Sequence, residues 1–505
     1  MNPMNATRAR RAAAGIAGAI LATLSVFGGV TAATAAPAYA ASIDPDAVTE
    51  IVVHKFEEPI EPGTPANGLP QDTTGLTPIN GATFTATRIP GIDLTTNAGQ
   101  QQAAALTVDE AATLVSGLAP NATGTTGEGS SPNGVTTLSP LGVGLYFVKE
   151  TVTPAGYVGA ASFIVALPLT HPVELDRWLT TVHVYPKNAR AHIELDVIDA
   201  DAVKLGDEVE WISRSNIPPL QTLDGYRVVQ EINPKLVLID DGEHVKVSLD
   251  APGAPTLVEG VDYTIIVSPD RRTVTVDFTE RGREVLAEVN VQHPGAEVRI
   301  DYRTTVLAEG DLYNKALLYP SKATIDGDPG APAPLEAVNH TKWGPLSVLV
   351  HEYGNPSNLI PGARFELFRT EEDARARRNP IVVEGVQEWT TDAQGRLIIN
   401  GLRFSDFANG LDRETSDPLY RLYWAVPTHI PSGWVWVDDR PLAGAVNSSV
   451  EFQTLIFEVK RGNDLPVTGG QIAGAAILAV LLLGGGAVLL LARQRRREPE
   501  GHAES

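Results

Sequence analysis

The 505-residue chain contains no cysteine, so it has neither disulfides nor thiolate metal ligands. It has no HExxH zinc motif and no Gly-rich phosphate loop. Its ten His are scattered, and no nucleophile–base pair or metal-ligand set stands out. A hydrolase, a metal centre and a cofactor site are therefore not expected. The paired aspartates of Asp326 to Pro334 (DGDPGAPAP) lack the later ligands of a calcium loop. Positive charge is scarce, with 39 Lys and Arg against 61 Asp and Glu, a net charge of −22. Such a surface stays soluble and does not seek nucleic acid.

The two ends carry targeting signals. Residues 1–40 have the three parts of a secretory signal peptide. Arg8, Arg10 and Arg11 form the basic start, Ala12 to Ala33 the small apolar stretch, and Ala38-Tyr39-Ala40 an A-x-A site with cutting expected before Ala41. Residues 470–492 are long and apolar enough to cross a bilayer as a helix, and Arg493, Arg495, Arg496 and Arg497 hold the 493–505 tail in the cytoplasm. Just before the span lies Leu465-Pro466-Val467-Thr468-Gly469. This pentapeptide, followed by an apolar span and an Arg cluster, resembles the LPxTG sorting signal of sortase substrates in Gram-positive bacteria. The resemblance implies cleavage between Thr468 and Gly469 and transfer of the Thr468 carbonyl to an amine. Removing both ends leaves 32 basic against 58 acidic residues, a net −26. An exported chain of this size without cysteine must take any covalent staple from other chemistry.

The piece between the signals is long enough for two to four domains. Period-two alternation predicts strands at Ile51 to Phe56, Ala82 to Arg88, Gly144 to Thr151, Ala161 to Leu167 and Trp178 to Tyr185. Gln101 to Leu118 is Ala-rich and predicts a short helix, and Asn121 to Asn133 reads as loop. Pro186 lacks a backbone donor and closes the last strand or sets it at a sheet edge, so Lys187 is expected to present its amine at the surface. A first boundary falls near Ala189. Short strands with frequent turns continue through a middle segment, 190–341, which reads as a β-sandwich. A third segment, 342–464, has strands at Ser347 to Val350, Arg364 to Phe368, Arg396 to Ile399, Tyr420 to Val426 and Glu451 to Val459, and a short charged helix or turn at Glu371 to Arg378.

The first and third segments repeat one another. His54-Lys55-Phe56 aligns with His351-Glu352-Tyr353, Gly81 to Phe84 with Gly362 to Phe365, Leu145 to Val158 with Leu422 to Val435, and Thr181 to Asn188 with Thr454 to Arg461. These motifs resemble the Cna B-type domain, an immunoglobulin-like sandwich of Gram-positive pilins and adhesins. The fold class expected is therefore all-β, with tandem immunoglobulin-like sandwiches. The first (41–189) and third (342–464) are Cna B-like.

Many such domains staple themselves by an amide between a Lys in the first strand and an Asn in the last, assisted by a Glu. On that pattern the first domain has Lys55, Asn188 and Glu150. The chemistry needs a neutral amine, which burial favours, and a carboxyl group that polarises the amide and moves protons. A plain Lys55–Glu150 salt bridge is the other reading. The third domain has Glu352, Pro427 and Arg461 at the three positions, so no bond is expected there, and an ion pair between Glu352 and Arg461 is expected instead. In the middle domain Asn314-Lys315-Ala316 resembles the Asn motif of Cna A-type pilin domains. Glu231 stands where an Asp is usual, and Lys204 is the nearest candidate amine.

The layout as a whole resembles the shaft subunit of sortase-assembled pili. That family ends its first domain in WxxxVxVYPK, matched here by Trp178, Val182, Val184, Tyr185, Pro186 and Lys187. The resemblance implies that a pilus-specific sortase joins Thr468 of one subunit to the Lys187 amine of the next. The protein is then a sortase substrate rather than an enzyme. Its implied partners are copies of itself, minor pilins, a housekeeping sortase that anchors the fibre to peptidoglycan, and host ligands. Its place is the fimbrium, anchored on the cell wall. The alternative is a monomeric LPxTG-anchored adhesin, which shares both end signals but has no use for Lys187.

Overall fold

The computed structural model describes residues 42–59, 65–239, 244–448 and 453–462. The stretches expected to be a signal peptide, a sorting signal, a membrane span and a basic tail lie outside the described residues, within which no helix is long and apolar enough to cross a membrane. The chain is mostly β, as its alternating apolar pattern predicts.

The first domain contains twelve strands: β1 (Thr49–His54), β2 (Phe56–Glu57), β3 (Thr83–Arg88), β4 (Ala122–Thr125), β5 (Val135–Leu141), β6 (Gly144–Val152), β7 (Tyr157–Val158), β8 (Phe163–Leu167), β9 (Leu169–Thr170), β10 (Trp178–Leu179), β11 (Thr181–Val184) and β12 (Lys187–Arg190). One sheet runs β11-β1-β5 and another β4-β3-β6-β8. Ile51, Val53, Phe84, Val148, Val165, Val182 and Val184 fill the space between them. The predicted helix is two: α1 (Asn97–Ala105) and α2 (Val108–Leu114). They cover the outer face of β6, burying Leu145 and Phe147 there while Tyr146 and Val148 face the sandwich core. That double burial explains why β6 opens as an unbroken apolar run. The segment read as a loop after Asn121 holds β4, and β5 has no counterpart in the predicted strands.

The internal repeat is borne out in register. In β1 and β11 Val53 lies opposite Val184, in parallel. In the third domain Val350 lies opposite Phe457, also in parallel, and these are the aligned residues. Phe84 opposes Glu150 as Phe365 opposes Pro427, each beside the same irregularity one residue earlier.

The middle domain is a sandwich around Trp211, Tyr226, Tyr302 and Leu318. Its helix Glu280–Gln292, N-capped by Thr279, was not apparent from the sequence pattern. The boundary expected after Thr341 falls inside one continuous strand, Leu335–Glu352. Its first half pairs with Gly310–Tyr319 of the middle domain, and its second half with Arg396–Arg403 and Thr454–Arg461 of the third. Trp343, beyond the expected boundary, belongs to the middle core.

A buried polar network fastens these two domains side by side. Asp199 accepts from the Thr341 hydroxyl at 2.5 Å and from the Asn409 amide at 2.7 Å. The Asn409 side-chain oxygen accepts in return from the amides of Asp199 and Ala200, both at 3.0 Å. Arg403, fully buried, donates to the Ala202 carbonyl at 3.2 Å, and Arg421 donates to the same carbonyl at 2.6 Å. Asp199→Ala leaves one buried and one half-buried donor unmatched, at a cost of about 3 kcal/mol. In a calorimetric scan the transition of the middle and third domains should fall while that of the first domain stays. An unchanged scan would mean that the network does not hold the junction.

Candidate functional site

Lys55 occupies the one-residue gap between β1 and β2. Its backbone is held on both sides, donating to the Gly134 carbonyl at 2.6 Å and accepting from Ile79 at 3.0 Å. With its main chain tied there, the side chain turns inward and is fully buried. Its ammonium lies 5.4 Å from the centre of the Phe84 ring. Three strands bring the predicted triad together: Glu150 comes from β6, Asn188 from β12, and both are buried beside Lys55.

The Glu150 carboxyl bridges the other two groups. One oxygen accepts from Lys55 Nζ at 2.8 Å and from the Ala160 amide at 3.0 Å. The other accepts from Asn188 Nδ2 at 2.8 Å. Lys55 Nζ also donates to Asn188 Oδ1, so amine and amide are in direct contact. Burial pushes the Lys55 amine down to about 8, against the opposing pull of Glu150. Amine, amide and carboxyl thus form a closed ring in which one oxygen of Glu150 meets the amine and the other the amide.

The WxxxVxVYPK residues lie next to this ring. Trp178 is in β10, and Val182 and Val184 point from β11 into the core. Tyr185 stacks on His54 with ring centres 4.7 Å apart, and His54 bonds to His183 at 2.9 Å. The Tyr185 hydroxyl accepts from the Gln71 amide at 2.7 Å. Pro186 interrupts the edge but does not end it. Its carbonyl accepts from Phe56 at 3.3 Å, and pairing resumes at once in β12, parallel to β2. Lys187 is therefore a strand residue, half-buried rather than fully presented, and Asn188 beside it faces inward. Thr468 and its neighbours Leu465, Pro466, Val467 and Gly469 lie outside the described residues.

Two expected arrangements do not form. Glu352 accepts from Asn358 at 2.8 Å, while Arg461 stacks over Trp434 at 4.2 Å. The hairpin strand Asn355–Leu359 supplies Glu352 with a nearer partner. In the middle domain Asn314 is buried but its amide is occupied, accepting from Asn233 at 2.8 Å and donating to Tyr302 at 3.2 Å. Lys204 bonds to Asp207 at 2.8 Å, beside the third domain. Glu231 is exposed, and the inward residue of its strand is Gln230. Lys204, Glu231 and Asn314 therefore make no second triad.

Glu58, half-buried and hydrogen-bonded through its backbone to Asn188 at 2.8 Å, was not singled out by any motif. Only the β2–β12 register brings it to this site.

Residues 46–189 match the family described as Gram-positive pilin subunit D1, N-terminal domain. The chain is 28% identical over 514 aligned positions to the fimbrial subunit type 1 of Actinomyces viscosus, covering 90% of this chain and 93% of that one. It is 29% identical to the fimbrial subunit type 2 of Actinomyces naeslundii, covering 91% and 92%. Its fold is that of the full-length major pilin SpaD from Corynebacterium diphtheriae, with a TM-score of 0.62 and 23% identity over 84% of this chain and 99% of that one.

The burial of Lys55 carries a pH signature. A buried amine at about 8, against an ordinary 10.5, binds fewer protons folded than unfolded between those two pH values. Before any bond forms, stability therefore rises with pH across that window. In freshly refolded protein, ammonia release followed by mass should quicken up to about pH 8 and then level off. A rate still climbing towards the ordinary lysine range would show that Lys55 is not desolvated.

Proposed function

We infer that the chain is a structural pilin subunit, the shaft unit of a fimbria assembled by sortase on the surface of a Gram-positive bacterium. The observation that carries this reading is the setting of Lys187: a half-buried strand amine at the end of the pilin D1 domain, beside an inward Asn188 held by Lys55 and Glu150. The LPVTG signal at the other end of the chain supplies the second half of a head-to-tail linkage.

Lys187 and Asn188 serve two different amide bonds. Adjacent strand residues face opposite ways, so one can point towards a neighbouring subunit while the other points inward. In the outward reaction a pilus-specific sortase cleaves after Thr468 and holds its carbonyl as an acyl-enzyme. Lys187 of another subunit attacks that carbonyl and releases the enzyme. Repetition is a heterologous contact that does not close, so it makes a filament. A housekeeping sortase then anchors the last subunit to peptidoglycan. Minor pilins and host ligands join the finished fibre.

In the inward reaction the neutral Lys55 amine attacks the Asn188 side-chain carbon. The new Nζ–Cγ bond replaces the Cγ–Nδ2 bond, and ammonia leaves. Glu150 takes a proton from Nζ at one oxygen and supplies one to Nδ2 from the other, a transfer matched by its two 2.8 Å contacts. The bond ties β12 to the β1–β2 gap and constrains the unfolded chain as a disulfide would.

Lys187→Ala should abolish the high-molecular-weight ladder in wall extracts, whereas a surviving ladder favours a monomeric anchored adhesin. Intact mass of the mature soluble chain should fall about 17 Da below the sequence mass, one ammonia, and Glu150→Ala should restore it. A loss of none or of three ammonias contradicts the single staple.

A further inference from the structure

Sortase chemistry at Lys187 needs the amine free of its proton, since an ammonium is no nucleophile. In the parallel β2–β12 pair Lys187 lies opposite Phe56, and Asn188 opposite Glu57. The Glu58 amide donates to the Asn188 carbonyl at 2.8 Å, so the pairing extends one residue past β2. Side chains alternate along a strand, which puts Phe56, Glu58 and Lys187 on one face and Glu57 and Asn188 on the other. Glu58 and Lys187 are diagonal neighbours there, a separation that long side chains span.

Among the described residues, Lys187 on β12 and Lys55 in the β1–β2 gap are the cations that act on Glu58. Glu57, on the opposite face, is engaged with the Tyr157 hydroxyl at 3.1 Å and Arg190 at 3.5 Å. Partial burial pushes the Glu58 carboxyl above the usual range, making it a better base than a surface carboxylate.

Resting on the pilin reading above, we propose that Glu58 positions the Lys187 amine and takes its proton as that amine attacks the acyl-enzyme. Of the two protons the ammonium must lose, the first goes to Glu58. The bond from Lys187 Nζ to the Thr468 carbonyl carbon forms as the bond to the enzyme's nucleophile breaks, and that leaving group takes the second. Glu58 then returns its proton to water. The staple favours this step: once Lys55 is an amide its positive charge is gone, and among the described residues Lys187 is the remaining cation that acts on Glu58.

The test uses the mature chain with Glu58→Gln, Glu58→Asp and, as a control on the opposite face, Glu57→Gln. Lys187 is acetylated with N-hydroxysuccinimide acetate across a pH series and quantified by peptide mass spectrometry. With the base gone, Lys187 acetylation at a given pH should slow about threefold in Glu58→Gln, and Glu58→Asp should restore it. In wall extracts the ladder should fall about tenfold in Glu58→Gln and largely return in Glu58→Asp, with the ammonia loss retained in both. An unmoved acetylation rate, a full ladder in Glu58→Gln, or an equal ladder loss in Glu57→Gln would overturn the proposal. A ladder that survives Lys187→Ala would instead sink the pilin reading, and the acetylation rate would still decide whether Glu58 acts on Lys187.

Discussion

The first domain depends on a lysine amine removed from water. Burying such a group unpaired costs several kcal/mol, so the fold must bring a carboxylate and further hydrogen-bond partners to it. Glu150 and Asn188 arrive from strands far away in sequence, and they meet Lys55 only when β1, β6 and β12 are all in register. The arrangement is therefore also a check on the fold. Desolvation lowers the pKa of the amine at the point where it touches the Asn188 amide.

Stability is organised differently in the rest of the chain. The middle and third domains have no comparable triad among the described residues, and they share the unbroken strand Leu335–Glu352 and the Asp199–Asn409 network instead. Every buried donor left unmatched there is costly, and Arg403 keeps one nitrogen, Nη2, without a partner. The N-terminal domain, by contrast, places Lys187 and Asn188 side by side on β12. Asn188, one residue after Lys187, is hydrogen-bonded back to Lys55 beside the first strands.

Where sequence reasoning went astray, the cause was local. Glu352 and Arg461 align with a lysine and an asparagine that do meet, yet Glu352 stays within its strand and bonds to Asn358 across a tight hairpin. Lys55 has no such neighbour, because it sits in a strand gap with its backbone tied down, and its side chain turns inward. Asn314 carries the right motif, but its amide is occupied by Asn233 and Tyr302. Pro186 removes one donor, which interrupts a ladder without ending it, so Lys187 remains in a strand. Helix Glu280–Gln292 lies in a segment where strand signals dominate on both sides.

The sequence alone determined the all-β class and the repeat that relates the first and third domains, which follow from alternation and from aligned motifs, both properties of a linear pattern. Lys55, Glu150, Asn188 and Lys187 were marked out by motifs that resemble those of pilin domains. Tertiary structure decided which of the proposed partners touch, how deeply Lys187 is set, that two domains share one strand, and that the Glu58 backbone pairs with β12. Each of those depends on the register between strands distant in the chain, and a shift of one residue there turns every side chain to the other face.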